Sequence, residues 1–268
     1  MSKAIKLFFI VCLIVILIHI IHATTLDNTI EYKEVSFYSS DLPKEMNGYR
    51  IAFITDIHSM SIDHLTEIID NLNNKSINLL VLGGDYPTSK ENLQKTMNTI
   101  SYINSTDGIF GVEGNHDNYP DLLAAMDKYG INLLSNNGFY IRNNFYLAGV
   151  EDLWNRNANI AFATQIALPE DFVLLIAHNP DITMQQKTSE IDLVLCGHTH
   201  GGQVRFFGVF APALIPNIVT DYNQKFMTGW SESRDGIPVY VSNGVGTFLN
   251  MSRVFARPQV IMLTLFNE

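Results

Sequence analysis

Residues 193–202 read LVLCGHTHGG, an apolar run that stops at Gly197 and then presents His198 and His200 with Thr199 between them. A short apolar run closed by glycine reads as a buried strand. If the backbone stays extended for a residue or two beyond it, side chains at i and i+2 point the same way, with stems roughly 7 Å apart. Two imidazoles so placed can hold one metal ion, or reach two ions roughly 4 Å apart. Taken alone, HxH describes an ordinary polar loop equally well. The reading turns on what the other strand ends carry.

Upstream the pattern repeats. Residues 50–55 (RIAFIT) form an apolar strand that runs into Asp56-Ile57-His58, with a helix expected over 61–74. Residues 77–82 end in Gly83-Gly84-Asp85 before a helix over 90–102, and 109–112 lead to Gly114-Asn115-His116-Asp117 before a helix over 120–129. Residues 172–177 end in His178-Asn179-Pro180-Asp181, where Pro180 keeps Asn179 extended or turn-like. Each motif alone has a plain explanation, a capping aspartate or a polar turn. Together they place metal-type side chains at the carboxyl ends of successive strands, the usual position of ligand sites in open α/β sheets.

The rest of the chain reads as support. Tyr32 to Phe37 alternates like a half-buried strand, and 132–150 holds short strands and turns that link two halves of one domain. Glu151-Asp152 reads as an exposed acidic turn, 159–167 as a helix, and 237–242 and 260–266 as closing strands. Between Phe206 and Trp230 prolines and aromatics suggest long loops and a hairpin over the site. Arg205, Arg253 and Arg257 suit surface salt bridges at least as well as a phosphate clamp. His64 reads as a solvated helix residue and Cys196 as buried filler. Gly244-Val245-Gly246 lacks the third glycine of a dinucleotide fingerprint, because Leu249 stands there.

The 268 residues carry a formal charge of −10, which argues against a specific nucleic-acid partner. Two cysteines are too few for a disulfide framework. Leu7 to Ile21 is apolar apart from His19, preceded by Lys3 and Lys6 and followed by acidic residues from Asp27. We expect residues 1–23 to be a transmembrane anchor or uncleaved signal segment and 24–268 to be one catalytic domain. Lysines before the span and acids after it place the domain outside the cytoplasm, on a single-pass cell-membrane protein.

In order, DIH, GGD, GNHD, AHNPD and GHTH resemble the calcineurin-like metallophosphoesterase superfamily, and GHTHGGQ with HNPD resembles its YkuE/YaeI-like phosphodiesterase branch. The resemblance implies an α/β fold: a four-layer α-β-β-α sandwich of two mixed sheets with a binuclear metal site at strand ends, preceded here by the membrane segment. It assigns Asp56, His58 and His200 to one ion, Asn115, His178 and His198 to the other, and Asp85 to both. Imidazole and carboxylate donors suit two divalent or mixed-valence ions, manganese first, with iron, zinc, cobalt or magnesium as alternatives. The expected reaction is attack of metal-activated hydroxide on a phosphodiester or pyrophosphate, with His116 as general acid for the leaving oxygen.

Many relatives carry an acid three positions after the GD motif that orients that histidine. Here Thr88 stands in its place, leaving Asp117 as the substitute orienter. The substrate is a phosphate ester or pyrophosphate, lipid-linked in one alternative that resembles UDP-2,3-diacylglucosamine pyrophosphatase of the lipid A pathway. A catalytically silent, membrane-tethered binding module is the alternative from another class. Nothing in the sequence sets the oligomeric state.

Overall fold

The computed structural model describes residues 2–268. It begins with α1 (Lys3–Thr24), a helix of 22 residues whose side chains are mostly exposed. At about 1.5 Å per residue such a helix is long enough for a hydrocarbon core of about 30 Å. It is longer than the apolar run alone, because the flanking Lys3–Lys6 and His22–Thr24 continue it.

The remaining elements alternate as the sequence pattern suggests. They are β1 (Glu31–Ser39), β2 (Tyr49–Ile54), α2 (Ile62–Asn73), β3 (Leu79–Leu82), α3 (Lys90–Ile100), β4 (Ile109–Gly111) and α4 (Tyr119–Lys128). There follow β5 (Asn132–Leu133), β6 (Asn137–Arg142), β7 (Phe145–Gly149), α5 (Ile160–Ala163), β8 (Phe172–Ile176) and α6 (Ile182–Gln185). The chain ends with β9 (Leu193–Cys196), β10 (Gly229–Glu232), β11 (Pro238–Val241) and β12 (Gln259–Asn267).

Two six-stranded mixed sheets result, ordered β1-β12-β2-β3-β4-β5 and β10-β11-β9-β8-β7-β6. Their facing sides make the central core. Period-two alternation explains why the strands read as unbroken apolar runs. In β2, Ile51 and Phe53 enter the core between the sheets while Ala52 and Ile54 pack with α2, α3 and α4; in β9, Leu193 and Leu195 face inward while Val194 and Cys196 face the opposite outer layer. Both faces of central strands such as β2, β8 and β9 are covered, so these need no polar face, whereas the outer β1, β6 and β10 are partly exposed.

The sandwich expected from the resemblance is present, with an uneven second helical layer. Over the second sheet only the four-residue α5 and α6 and surrounding loops pack, and the helix expected over 159–167 stops at Ala163. The 132–150 segment is also more than a connection: β5 closes the edge of the first sheet, and β6 with β7 opens the second.

Candidate metal centre

Adjacent parallel strands lace their terminal loops together. Asp56 N–H donates to Gly84 O at 2.9 Å, His58 N–H to Asp85 O at 2.9 Å, and Gly197 N–H to His178 O at 3.1 Å. The loops after β2, β3, β4, β8 and β9 thereby converge on one place, and all five sequence motifs meet there.

Geometry divides the side chains into two groups with one shared atom. His58 Nε2 lies 3.0 Å from His200 Nε2, and His200 Nε2 lies 3.5 Å from Asp56 Oδ1. In the second group His178 Nε2 lies 3.1 Å from Asn115 Oδ1 and 3.3 Å from His198 Nδ1. Asp85 Oδ2 is 3.4 Å from His58 Nε2 and 3.3 Å from His178 Nε2, so one carboxylate oxygen faces both groups. Its other oxygen is held by the His116 backbone N–H at 2.9 Å.

Hydrogen bonds aim the rings. His178 Nδ1–H donates to Gly83 O at 2.7 Å, which leaves Nε2 facing the centre; His198 Nε2–H donates to Val219 O at 2.9 Å, which leaves Nδ1 doing so. The ligand atoms of Asp56, His58 and His200 all lie within 4.8 Å of one another, as do those of Asp56, Asp85 and His178. This donor set fits divalent cations of the manganese-to-zinc series, and it holds no thiolate.

The electrostatics agree with that fit. Burial holds the His58 and His200 imidazoles below their ordinary value and pulls His198 down to about 3, keeping these rings in the neutral, ligating form. Burial also pulls on His178, but the Asp85 and Asp56 carboxylates outweigh it and push the ring up to about 10. A cation between those carboxylates competes with that proton. Burial raises Asp56, whereas the neighbouring His178 and His58 overcome burial at Asp85 and hold it far below the usual carboxylate range.

The backbone past these strands is not extended. The i, i+2 reasoning assumed extended backbone past each strand, yet Asp56 (φ 55°), His58 (44°), Asp85 (58°), His198 (70°) and His200 (52°) all adopt the left-handed region. The loops turn sharply, and these turns rather than strand alternation bring the ligand atoms together. Strain of this kind, on the order of 1–3 kcal/mol per residue, concentrates at functional sites. The tight turns also leave no room at Gly197, where a Cβ would overlap Thr55 Oγ1 and Asp56 Oδ2.

Asp117 is not the orienter of the His116 ring. Its carboxylate accepts the backbone N–H groups of Asp85 (2.9 Å), Tyr86 (2.8 Å) and Gly114 (2.7 Å), tying the GGD loop to the GNHD loop. Glu151-Asp152 is not an exposed acidic turn either. Asp152 is buried and accepts from Trp154 N and Asn155 N, and Glu151 pairs with Arg156, which also reaches the buried Glu113 at 2.9 Å. Asn155 then donates from Nδ2 to Asn115 O at 2.6 Å, and the Trp154 ring stands edge-on to His198 at 4.6 Å.

Arg205 and Arg253 are neither surface salt bridges nor a phosphate clamp. Arg253 is 2% exposed, and its guanidinium donates to His200 O at 3.1 Å, Ala256 O at 3.0 Å and Asn243 O at 2.8 Å. Arg205 bonds to Gly201 O and Asn243 Oδ1, and Arg257 to Thr29 O. The sequence gives no spacing that would link Arg253 to the GHTH loop, because the contact spans 53 positions. His64 is exposed and Cys196 buried, as expected.

The family model described as calcineurin-like phosphoesterase matches residues 49–202. The chain is 30% identical to the phosphodiesterase YaeI of Escherichia coli over 81% of this chain and 82% of that protein. It is 25% identical to the metallophosphoesterase YkuE of Bacillus subtilis, covering 88% and 85% of the two chains. A Campylobacter jejuni metallophosphoesterase is 27% identical over 97% of this chain and 70% of its own length. The chain spans 63% of the length of similar proteins from Helicobacter pylori.

Proposed function

Since the chain belongs to the calcineurin-like phosphoesterase family, we propose that it hydrolyses a phosphodiester or pyrophosphate bond at a pair of divalent cations, as a membrane-anchored enzyme. The observation that carries this reading is the position of Asp85 Oδ2, within 3.4 Å of one imidazole from each ligand group. Asp56, His58 and His200 would hold one cation and Asn115, His178 and His198 the other, with Asp85 available to both. Manganese suits these donors, as do iron, zinc, cobalt and magnesium. Bound there, the cations supply Lewis acidity to a phosphoryl group and lower the pKa of water.

The chain's own side chains do the rest. His116 lines the same cavity as Asp85, Asn115, His198 and His200, and it protonates the leaving oxygen. Its backbone N–H fixes Asp85, so the acid and the shared ligand belong to one loop. Trp154 and Phe248 wall the cavity and limit water around the reacting phosphate. Residues 1–23 form the anchor and 24–268 the catalytic domain, outside the cytoplasm. α1 supports the anchor by its length and apolar surface, and Lys3 and Lys6 before it with acids from Asp27 after it support the side.

The test is a substrate panel. The full chain, loaded with each metal separately, is given a phosphomonoester, a phosphodiester and UDP-2,3-diacylglucosamine. Metal-dependent cleavage of the diester or the pyrophosphate is the expected result. Cations bound at full occupancy with no turnover on any of the three would make the chain a binding module instead.

A further inference from the structure

The cavity has an apolar wall that phosphate chemistry alone does not explain. About 420 Å³ in volume, it is lined beside the imidazoles by Val204, Pro212, Ala213, Ile218, Val219 and Met251. This wall belongs to two loops, 204–219 and 248–251, tied together where Gln203 Nε2 donates to Phe248 O at 3.0 Å. Outside the cavity the same loops turn Phe207, Val209, Phe210 and Leu249 to the exterior, with Val209 73% and Leu249 72% exposed. Residues 204–219 contain no acid although the chain carries 27, and their one ionisable side chain, Arg205, is buried. A rim so composed loses little by leaving water.

The anchor helix meets this rim directly. The His19 ring lies 5.3 Å from that of Phe207 and 5.0 Å from that of Phe255, and His22 stacks on Phe255 at 3.8 Å. Phe255 N–H in turn donates to the buried Asp27 at 2.7 Å, and Arg257 Nε to Thr29 O at 2.9 Å, so the helix is docked on the domain rather than joined by a free linker. His19 precedes the end of α1 by five residues, about 7.5 Å along the axis. Phe207 therefore stands level with the last turns of the span, not beyond them.

We infer that loops 204–219 and 248–251 sit in the bilayer interface, so that the cavity opens onto the membrane and accepts an amphiphilic phosphodiester. Its hydrocarbon tail lies along the wall of Ile218 and Met251, and its phosphate reaches the ligand groups and His116. The choice of substrate rests on the phosphohydrolase reading above; the placement of the rim does not. In the reaction a water oxygen bonds to phosphorus and gives up one proton to solvent, the P–O bond to the leaving group breaks, and His116 gives its proton to the departing oxygen and is reprotonated from solvent.

Two readouts on the full chain in phosphatidylcholine nanodiscs test this. In the first, Phe207→Trp adds a fluorophore at the rim, and brominated acyl chains quench the added emission; emission that lipid bromine leaves untouched overturns the placement. In the second, hexadecyl 4-nitrophenyl phosphate and methyl 4-nitrophenyl phosphate are compared. The hexadecyl diester is expected to show a kcat/KM higher by about tenfold or more. The pair Phe207→Ser and Val209→Ser lowers that value and leaves the methyl diester unchanged. Equal constants for the two diesters overturn the substrate class. Failure to cleave either, with cations bound, instead refutes the phosphohydrolase reading, and quenching still decides which way the cavity faces.

Discussion

Asp85 Oδ2 stands 3.3 Å from His178 Nε2, while the other oxygen of the same carboxylate accepts the His116 N–H at 2.9 Å. The carboxylate proposed to serve both cations, the His178 ring and the loop of the proposed acid are thus one mechanical unit. Asp85→Asn keeps the backbone acceptor and removes the charge. Cation content measured by plasma emission is expected to fall from about two per chain to below one. Full loading of the variant would show that Asp85 is not a common ligand.

His116 holds the Asp85 carboxylate through its backbone N–H, whereas the proposed proton transfer uses its ring, so the two contributions separate. His116→Ala is expected to lower kcat by about 10²- to 10⁴-fold on a substrate with a poor leaving group, with cation content retained. The loss should shrink for 4-nitrophenol, which leaves without help. An equal loss on both leaving groups would assign the ring to positioning.

Arg253 donates to carbonyls of three separate loops, and among the described residues no carboxylate pairs with it directly. Arg253→Met leaves Ala256 O and Asn243 O without this donor at about 1–3 kcal/mol each, before any relaxation, while His200 O keeps the Gln203 N–H. Urea denaturation should show a midpoint well below that of the parent, and Arg253→Lys should recover part of the difference. A midpoint unchanged by Met would mean that the loops satisfy their carbonyls in another way.

Asp192 supplies a pH-dependent term away from the cations. Burial, reinforced by the Asp41 carboxylate, pushes its pKa up to about 6, although it accepts the Val173 N–H at 2.7 Å. The folded state therefore holds its proton more tightly than the unfolded one. This contribution is fully present below the unfolded value near 4 and is lost as pH rises to about 6. Asp192→Asn should flatten that decline in a series of urea midpoints between those pH values. A parallel decline in both proteins would place its origin elsewhere.

Much of this was legible because the central strands are covered on both faces. Continuous runs such as 50–54 and 193–196 advertise themselves as buried, and a strand must end where polar ligands begin. The candidate ligands were read from those ends. The left-handed φ at Asp56 and His200 was not legible, since aspartate and histidine tolerate that region without requiring it. Long-range partners were also hidden: Arg253 behind His200, and Asp152 with Asn155 behind Asn115, carry no local spacing that marks them. A charged side chain reads as exposed until its partners are known, which is why the acidic pair at 151–152 and the arginines were misplaced.

Stepwise addition of manganese to the metal-free full chain, with bound cation and hydrolysis of methyl 4-nitrophenyl phosphate followed together, tests the central claim most directly. The shared-carboxylate site predicts little turnover at one equivalent and a rise that tracks the second. Turnover complete at one equivalent, or two cations bound with none, would contradict it.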